Sequence, residues 1–252
     1  MGKSKLNRFR EMEQLERVFQ PPFGEVFGKD FYLKGRWNSE VFHNDHPIIL
    51  ELGCGKGEYT IGLARLLPGN NYIGIDIKGA RMWRGAKMAH DTNLTHVAFL
   101  RTRIEMIESF FGRDEIDEIW ITFPDPQLKR RRNKKRLTGP RFLNSYRMLL
   151  KDNGIIHLKT DNEVLYNYTL ELVKHNGLDV LHQTSDLYGT RRNARVADIV
   201  AQPYHSSSLQ DKVLSIKTFY ESQYLDEGAS IYYLSFRLPS SGEILEWPGD
   251  DE

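Results

Sequence analysis

Cysteine is scarce: Cys54 is the only one in 252 residues. This excludes an intrachain disulfide and a cysteine-based zinc site, and it favours a reducing compartment. Long apolar runs are missing as well. No stretch approaches the roughly 18 apolar residues a membrane span needs, and the opening MGKSKL has neither a signal-peptide core nor the Ser or Thr of a myristoylation signal. A cytoplasmic protein with no membrane attachment is expected. The net charge of +1 names no partner. There are no internal repeats at solenoid periods, no metal site is expected, and the sequence leaves open whether the chain is a monomer or a homodimer.

What is present is ordinary globular material, 40% hydrophobic with 20 glycines, enough for a sizeable core. The charge balance conceals segregation. Seven of the eight residues from Lys129 to Arg136 are basic, while residues 249–252 read Gly-Asp-Asp-Glu. Charge runs are usually solvated surface, so the meaning of this one depends on its neighbours.

From Pro47 onward, short β-branched runs alternate with amphipathic stretches. Residues 47–53, 71–77, 97–102, 116–123 and 154–160 are apolar on both faces for much of their length, as buried parallel strands are. Between them the spacing predicts helices near 58–67, 79–92, 139–151 and 163–176, with Gly154 suited to stop a helix before the next strand. Strands are also expected at 177–184 and 231–238, with one helix near 211–226. The alternation predicts an α/β fold, a doubly wound Rossmann-like sheet of seven strands, mostly parallel with an antiparallel last strand. Residues 1–46 read as a partly flexible N-terminal arm, because Pro21, Pro22 and Gly24 break a short amphipathic stretch. Residues 47–238 form the domain and 239–252 an acidic tail.

After the first domain strand the chain reads ELGCGKGEYT, so Glu51, Gly53, Gly55 and Gly57 lead into a helix; the next strand ends in Asp76, 19 residues beyond Gly57. A tight turn alone would need one or two of these glycines, not three flanked by acids at both strand ends. A dinucleotide loop wants its third glycine where this chain has Glu58, whose carboxylate would repel a pyrophosphate at the helix N-terminus. S-adenosylmethionine has no phosphate, carries cationic sulfonium and ammonium groups, and offers ribose hydroxyls. Glu51 suits its methionine end and Asp76 its ribose.

A second group of motifs follows. Residues 122–126 read TFPDP, with Asp125 between prolines at the end of a strand; the basic run begins at Lys129; HLKTDN carries Thr160 and Asp161; IKTFYE carries Thr218, Tyr220 and Glu221. With ELGCGKG and GIDIKGARMWRGAK, these make the chain resemble the bacterial-type tRNA (guanine-N7)-methyltransferase family, a branch of the class I methyltransferases, over about residues 47–238.

The resemblance implies S-adenosylmethionine as donor, tRNA as partner, and a variable-loop guanine as target. It places Glu51, Gly53, Gly55, Gly57, Asp76 and Asp125 at the donor, Asp125 and Asp161 at the chemistry, and Lys129, Asp161, Thr218, Tyr220 and Glu221 at the substrate. Arg131, Arg132, Lys134, Lys135 and Arg136 fall on a tRNA-contacting segment. The chain departs from the pattern at Gln127, where the family often has Trp, and at RTRIE, where Arg103 and Glu105 are alternatives for the adenine contact. Arg191, Arg192 and Arg195 are further candidates for the RNA.

Guanine N7 already carries a free lone pair, so its methylation needs no general base. The acids would instead offset the positive charge that develops on the ring, and Asp161 and Glu221 could accept from N1–H and the 2-amino group, which adenine lacks. Phosphates held by the basic run would position a nucleotide beside Asp125 without reading sequence. Three competing readings remain: a methyltransferase for exocyclic amines, which typically carries an Asp/Asn-Pro-Pro-aromatic motif instead; a non-catalytic RNA-binding module; and a nicotinamide oxidoreductase. Plainer roles also exist for single residues: a turn for Asp125, a helix cap for Asp161 or Thr160, strand packing for His157.

Overall fold

Eight strands form one sheet in the computed structural model, which describes residues 3–189 and 207–251. The central strands β2 (Ile48–Leu52), β3 (Asn71–Asp76), β4 (Val97–Arg101) and β5 (Ile116–Thr122) are almost wholly buried, as runs apolar on both faces must be. With β1 (Val18–Phe19), β6 (Leu150–Thr160), β7 (Val180–Thr184) and β8 (Tyr232–Leu238), the order across the sheet is β1-β4-β3-β2-β5-β6-β8-β7. Only β8 runs antiparallel to its neighbours, pairing β6 on one side and β7 on the other. Strand order reverses between β2 and β5. That is the switch point, where the carboxyl ends of strands in open α/β sheets leave a crevice for ligands.

Two apolar layers cover the sheet. One holds α3 (Glu58–Leu66), α4 (Gly79–Asp91) and α7 (Ser207–Leu214), with Tyr59, Ile61, Met82, Ala86 and Val213 buried against Trp120 and Phe99. The other holds α5 (Pro140–Leu149) and α6 (Glu163–His175), with Phe142, Leu143, Leu165 and Leu172 buried against Leu50, Ile119 and Leu158.

The sheet has eight strands rather than the expected seven, because the segment before Pro47 adds one. Val18 and Phe19 pair with Phe99 and Leu100 at the sheet edge. Much of that expected arm is packed: Met12 of α1 (Lys3–Glu13), Leu33 and Trp37 are buried, and the Trp37 indole donates to the Phe110 carbonyl at 2.8 Å. The sequence hid the strand because it is only two residues long, at the end of an amphipathic stretch that Pro21, Pro22 and Gly24 break at once. The C-terminal segment is also held. Asn144 exchanges two 3.0 Å hydrogen bonds with the Ile244 backbone, and Asn176 clasps Leu245 in the same way at 2.8 and 2.9 Å.

Two helix boundaries differ from expectation. Helix α5 ends at Leu149 and β6 begins at once, with an irregularity in its pairing to β5 and a left-handed Asn153 (φ 59°) just before Gly154, so the helix has stopped well short of that glycine. A Cβ on Gly154 would stand 2.9 Å from Leu150 Cδ2, 3.0 Å from the Lys151 carbonyl and 3.2 Å from the Asp117 carbonyl, which explains the glycine by crowding at this irregularity of the strand rather than by helix termination. The single helix expected near 211–226 is two: α7 ends at Leu214, and α8 (Phe219–Asp226) starts afresh from Thr218. A capping box causes the restart, Thr218 accepting from the Glu221 amide while Glu221 accepts from the Thr218 amide.

Candidate active site

The glycine loop follows β2. Gly53, Gly55 and Gly57 all take positive φ (78°, 55° and 72°), which a residue with a Cβ adopts only at a cost. Gly57 has a second reason, since a Cβ there would lie 2.7 Å from the Phe99 ring. Asp76, at the end of β3, braces the loop: its carboxylate accepts from Gly55 N at 2.9 Å and from Lys78 N at 2.7 Å. One backbone donor on each oxygen leaves lone pairs for a further ligand.

Glu51 lies deeper than the sequence implied. It is only 2% exposed, and its oxygens accept from the Thr60 amide at 2.8 Å, the Thr60 hydroxyl and the Thr122 hydroxyl at 2.7 Å. Burial outweighs these hydrogen bonds and pushes its pKa up to about 7. In this conformation Glu51 ties the start of α3 to the end of β5, behind the loop.

Across the switch point, Asp125 is exposed after β5. Phe123 and Gln127, two residues to either side of it, have φ of 49° and 51°, a left-handed conformation uncommon for side chains of this kind. The Gln127 amide donates to the Asp125 carboxylate at 3.2 Å, a local turn that orients the acid. A cavity of about 360 Å³ joins these elements, lined among others by Gly53, Asp76, Arg103, Glu105, Asp125 and Lys135. Both alternatives for the adenine contact, Arg103 and Glu105, therefore face one space. Sequence reasoning missed its apolar walls, Ile77, Ile104, Leu137 and Phe142. Ile77 had a legible signal: an apolar residue directly after a strand-terminal acid, here 49% exposed.

Glu51, Asp161, Thr218, Tyr220 and Glu221 do not line this cavity. Asp161 follows β6 and is half-buried, and desolvation raises its pKa. It does not cap α6: Asn162 does, its side chain accepting from Leu165 N at 2.9 Å. Thr160 accepts from Asn162 N at 3.1 Å instead. Glu221 is fully buried, its carboxylate taken up by Lys159 at 2.8 Å, the Tyr188 hydroxyl at 2.7 Å and the Thr218 amide at 3.2 Å. Lys159 is the member of this buried cluster that the sequence reading missed, and a lysine inside the apolar run GIIHLKT was its signal. Tyr220 is part-exposed beside Phe219.

The basic run forms a short 3₁₀ turn, Arg130–Lys135, and Lys129, Arg131, Arg132, Lys134 and Lys135 are exposed. Arg136 is not with them. It is buried, its guanidinium 4.1 Å from the centre of the Tyr168 ring on α6, so its role here is in packing. Arg191, Arg192 and Arg195 lie outside the described residues. His157 is buried in β6 between Trp120 and Tyr233, a packed strand residue. Among the described residues no group of three His, Cys, Asp or Glu could hold a metal ion, and no helix is long and apolar enough to cross a membrane.

The doubly wound sheet, with a glycine loop and strand-terminal acids converging on a cavity at its switch point, defines a Rossmann-like methyltransferase. A family model described as putative methyltransferase matches residues 45–221. The fold is similar to that of the 16S rRNA methyltransferase KamB, with a TM-score of 0.57 and 13% identity, covering 85% of this chain and 98% of that one. Sequence relatives narrow the class. The tRNA (guanine-N(7)-)-methyltransferase of Bacteroides fragilis is 48% identical over 246 residues, covering 98% of this chain and 90% of the relative. That of Porphyromonas gingivalis is 50% identical over 229 residues, covering 90% and 86%. The chain belongs to the tRNA (guanine-N(7)-)-methyltransferase family, and the kinship extends through the segment before Pro47.

Proposed function

We propose that this chain transfers the methyl group of S-adenosylmethionine to N7 of a guanine in tRNA, in the cytoplasm, and that the variable loop supplies the guanine. The carrying observation is the switch-point cavity, where Asp76 and Asp125 face one space beside an exposed basic turn. The residues present suit the donor. Asp76 retains acceptor capacity for ribose hydroxyls, Ile77 and Ile104 offer apolar walls for adenine, and Arg103 or Glu105 can meet its polar edge. When bound, the donor supplies an electrophilic methyl group on a sulfonium.

The chain's own acids act without moving a proton, because N7 needs no deprotonation. Asp125 stands at the cavity, and Asp161 at the end of β6 can accept from the N1–H and 2-amino donors of guanine. Both carboxylates offset the positive charge that the base acquires. Glu221 has a different part in this reading. Since Lys159, Tyr188 and the Thr218 amide occupy it, it positions Thr218 to Tyr220 beside the substrate instead of touching the base. The exposed cations Lys129, Arg131, Arg132, Lys134 and Lys135 hold phosphates and so set the register of the RNA. Extracting a stacked guanine costs a few kcal/mol, supplied by such contacts.

Incubation with unmodified tRNA and labelled donor, followed by mapping of the modified base, tests the reading. The label should appear on guanine N7, and Asp76→Ala should weaken donor binding by about 1–3 kcal/mol. Tight NAD binding with no response to S-adenosylmethionine would overturn it.

A further inference from the structure

A second cationic surface lies on the opposite side of the sheet from the basic turn. The turn belongs to the α5–α6 layer, where Arg136 packs on Tyr168 and Leu137 joins the apolar core. On the α3–α4 layer, a groove of about 140 Å³ is lined by Lys56, Arg65 and Arg84 among others. Arg81 stands one helical turn before Arg84 on α4. Arg65, Arg81 and Arg84 are exposed, and among the described residues none of these four cations is ion-paired. The one carboxylate in the groove, Glu58, accepts from the Phe219 amide at 2.7 Å.

Aromatic rings interleave with these charges. Lys56 Nζ sits 3.2 Å from the centre of the Phe219 ring, and the Arg81 guanidinium 5.6 Å from that of Tyr220. The rings are 45% and 36% exposed, although large aromatics are ordinarily buried. Cations for phosphates next to rings for unpaired bases are the two components of a single-strand binding surface. The patch also adjoins the glycine loop, through Lys56 and Glu58, and hence the site itself.

We propose that Lys56, Arg65, Arg81 and Arg84, with Phe219 and Tyr220, form a second RNA-contacting surface, so that the tRNA is held from both faces of the sheet. The inference rests on the tRNA reading above and adds to it a second, separately removable anchor. An RNA gripped only by the basic turn could pivot about it. One gripped on both sides presents its target base to the carboxyl edge in a defined orientation.

The test is the triple variant Arg65→Ala/Arg81→Ala/Arg84→Ala, with Lys174→Ala on α6, in the opposite layer, as control. Binding of unmodified tRNA is measured across a salt series, alongside methylation kinetics. The triple variant should lose about 0.7 to 0.9 in log–log salt slope for each phosphate contact removed. Its KM for tRNA should rise about tenfold or more near 0.15 M salt, with kcat at saturating tRNA, donor affinity and melting temperature unchanged. The control should match wild type. A triple variant with wild-type salt slope and KM would overturn the second surface. Salt-dependent tRNA binding by a wild-type protein that methylates no tRNA would instead overturn the activity, while the comparison of slopes would still decide the surface.

Discussion

Lys159 Nζ lies 2.8 Å from Glu221 Oε1, and neither side chain has any exposure. The ammonium also donates to the carbonyls of Leu214 and Ile216, at 3.0 and 3.2 Å, so one buried charge ties the end of β6 to the α7–α8 connection. Burial pushes the Lys159 pKa down, and Glu221 pushes back. Lys159→Met would leave a carboxylate buried without its partner, and a loss of about 3–5 kcal/mol is expected in denaturant unfolding. Adding Glu221→Gln should restore most of it, because the neutral amide no longer needs the cation. A single variant as stable as wild type would show that the pair contributes nothing.

Glu51 sets a pH dependence. An acid whose folded pKa exceeds its unfolded one holds its proton more tightly in the folded state. Its contribution is therefore full below pH 4.5 and fades as the pH rises towards about 7. Relative to Glu51→Gln, the wild type should lose on the order of 3 kcal/mol of stability between the two limits, at about 1.4 kcal/mol per pH unit. Unfolding free energies of both proteins at acid and mildly alkaline pH measure this; a constant difference would refute it.

Asp161→Asn separates charge from shape. Because Asn162 caps α6, the substitution leaves the helix terminus intact. Single-turnover methylation should fall by about 10²-fold or more, as on deleting one preorganised electrostatic group, with donor binding and melting temperature near wild type. Full activity would remove Asp161 from the chemistry.

The basic run should divide in two. Neutralising Arg131, Arg132 and Lys134, all exposed, should weaken tRNA binding and lower its salt slope by about 0.7–0.9 per lost contact, with donor affinity unchanged. Arg136→Ala should act on stability instead, costing about 2 kcal/mol for a desolvated guanidinium–ring contact. RNA affinity that responds to Arg136 and not to the other three would reverse the assignment.

Much of this architecture was legible in the chain. The runs apolar on both faces became the central parallel strands, since a sheet covered on both sides requires exactly that composition, and three glycines between two acids marked the loop because each takes a positive φ. The proline-flanked Asp125, the Thr218–Glu221 motif and the cation run were visible as local patterns. Tertiary structure decided what each of them faces. Glu221 and Glu51 are as acidic in sequence as Asp125, yet burial and hydrogen bonding turn them into internal ties, while Asp125 stays open to the cavity. Arg136 ends the same basic run as Arg131 but lies under Tyr168, a residue 32 positions away. Likewise, Lys56, Arg84 and Phe219 converge only because α8 returns across the glycine loop. Periodicity and composition specify which elements form and which faces are apolar, for those are properties of neighbouring residues. Which charge is paired, buried or left for a ligand depends on residues far apart in the chain, and only their packing brings them within reach.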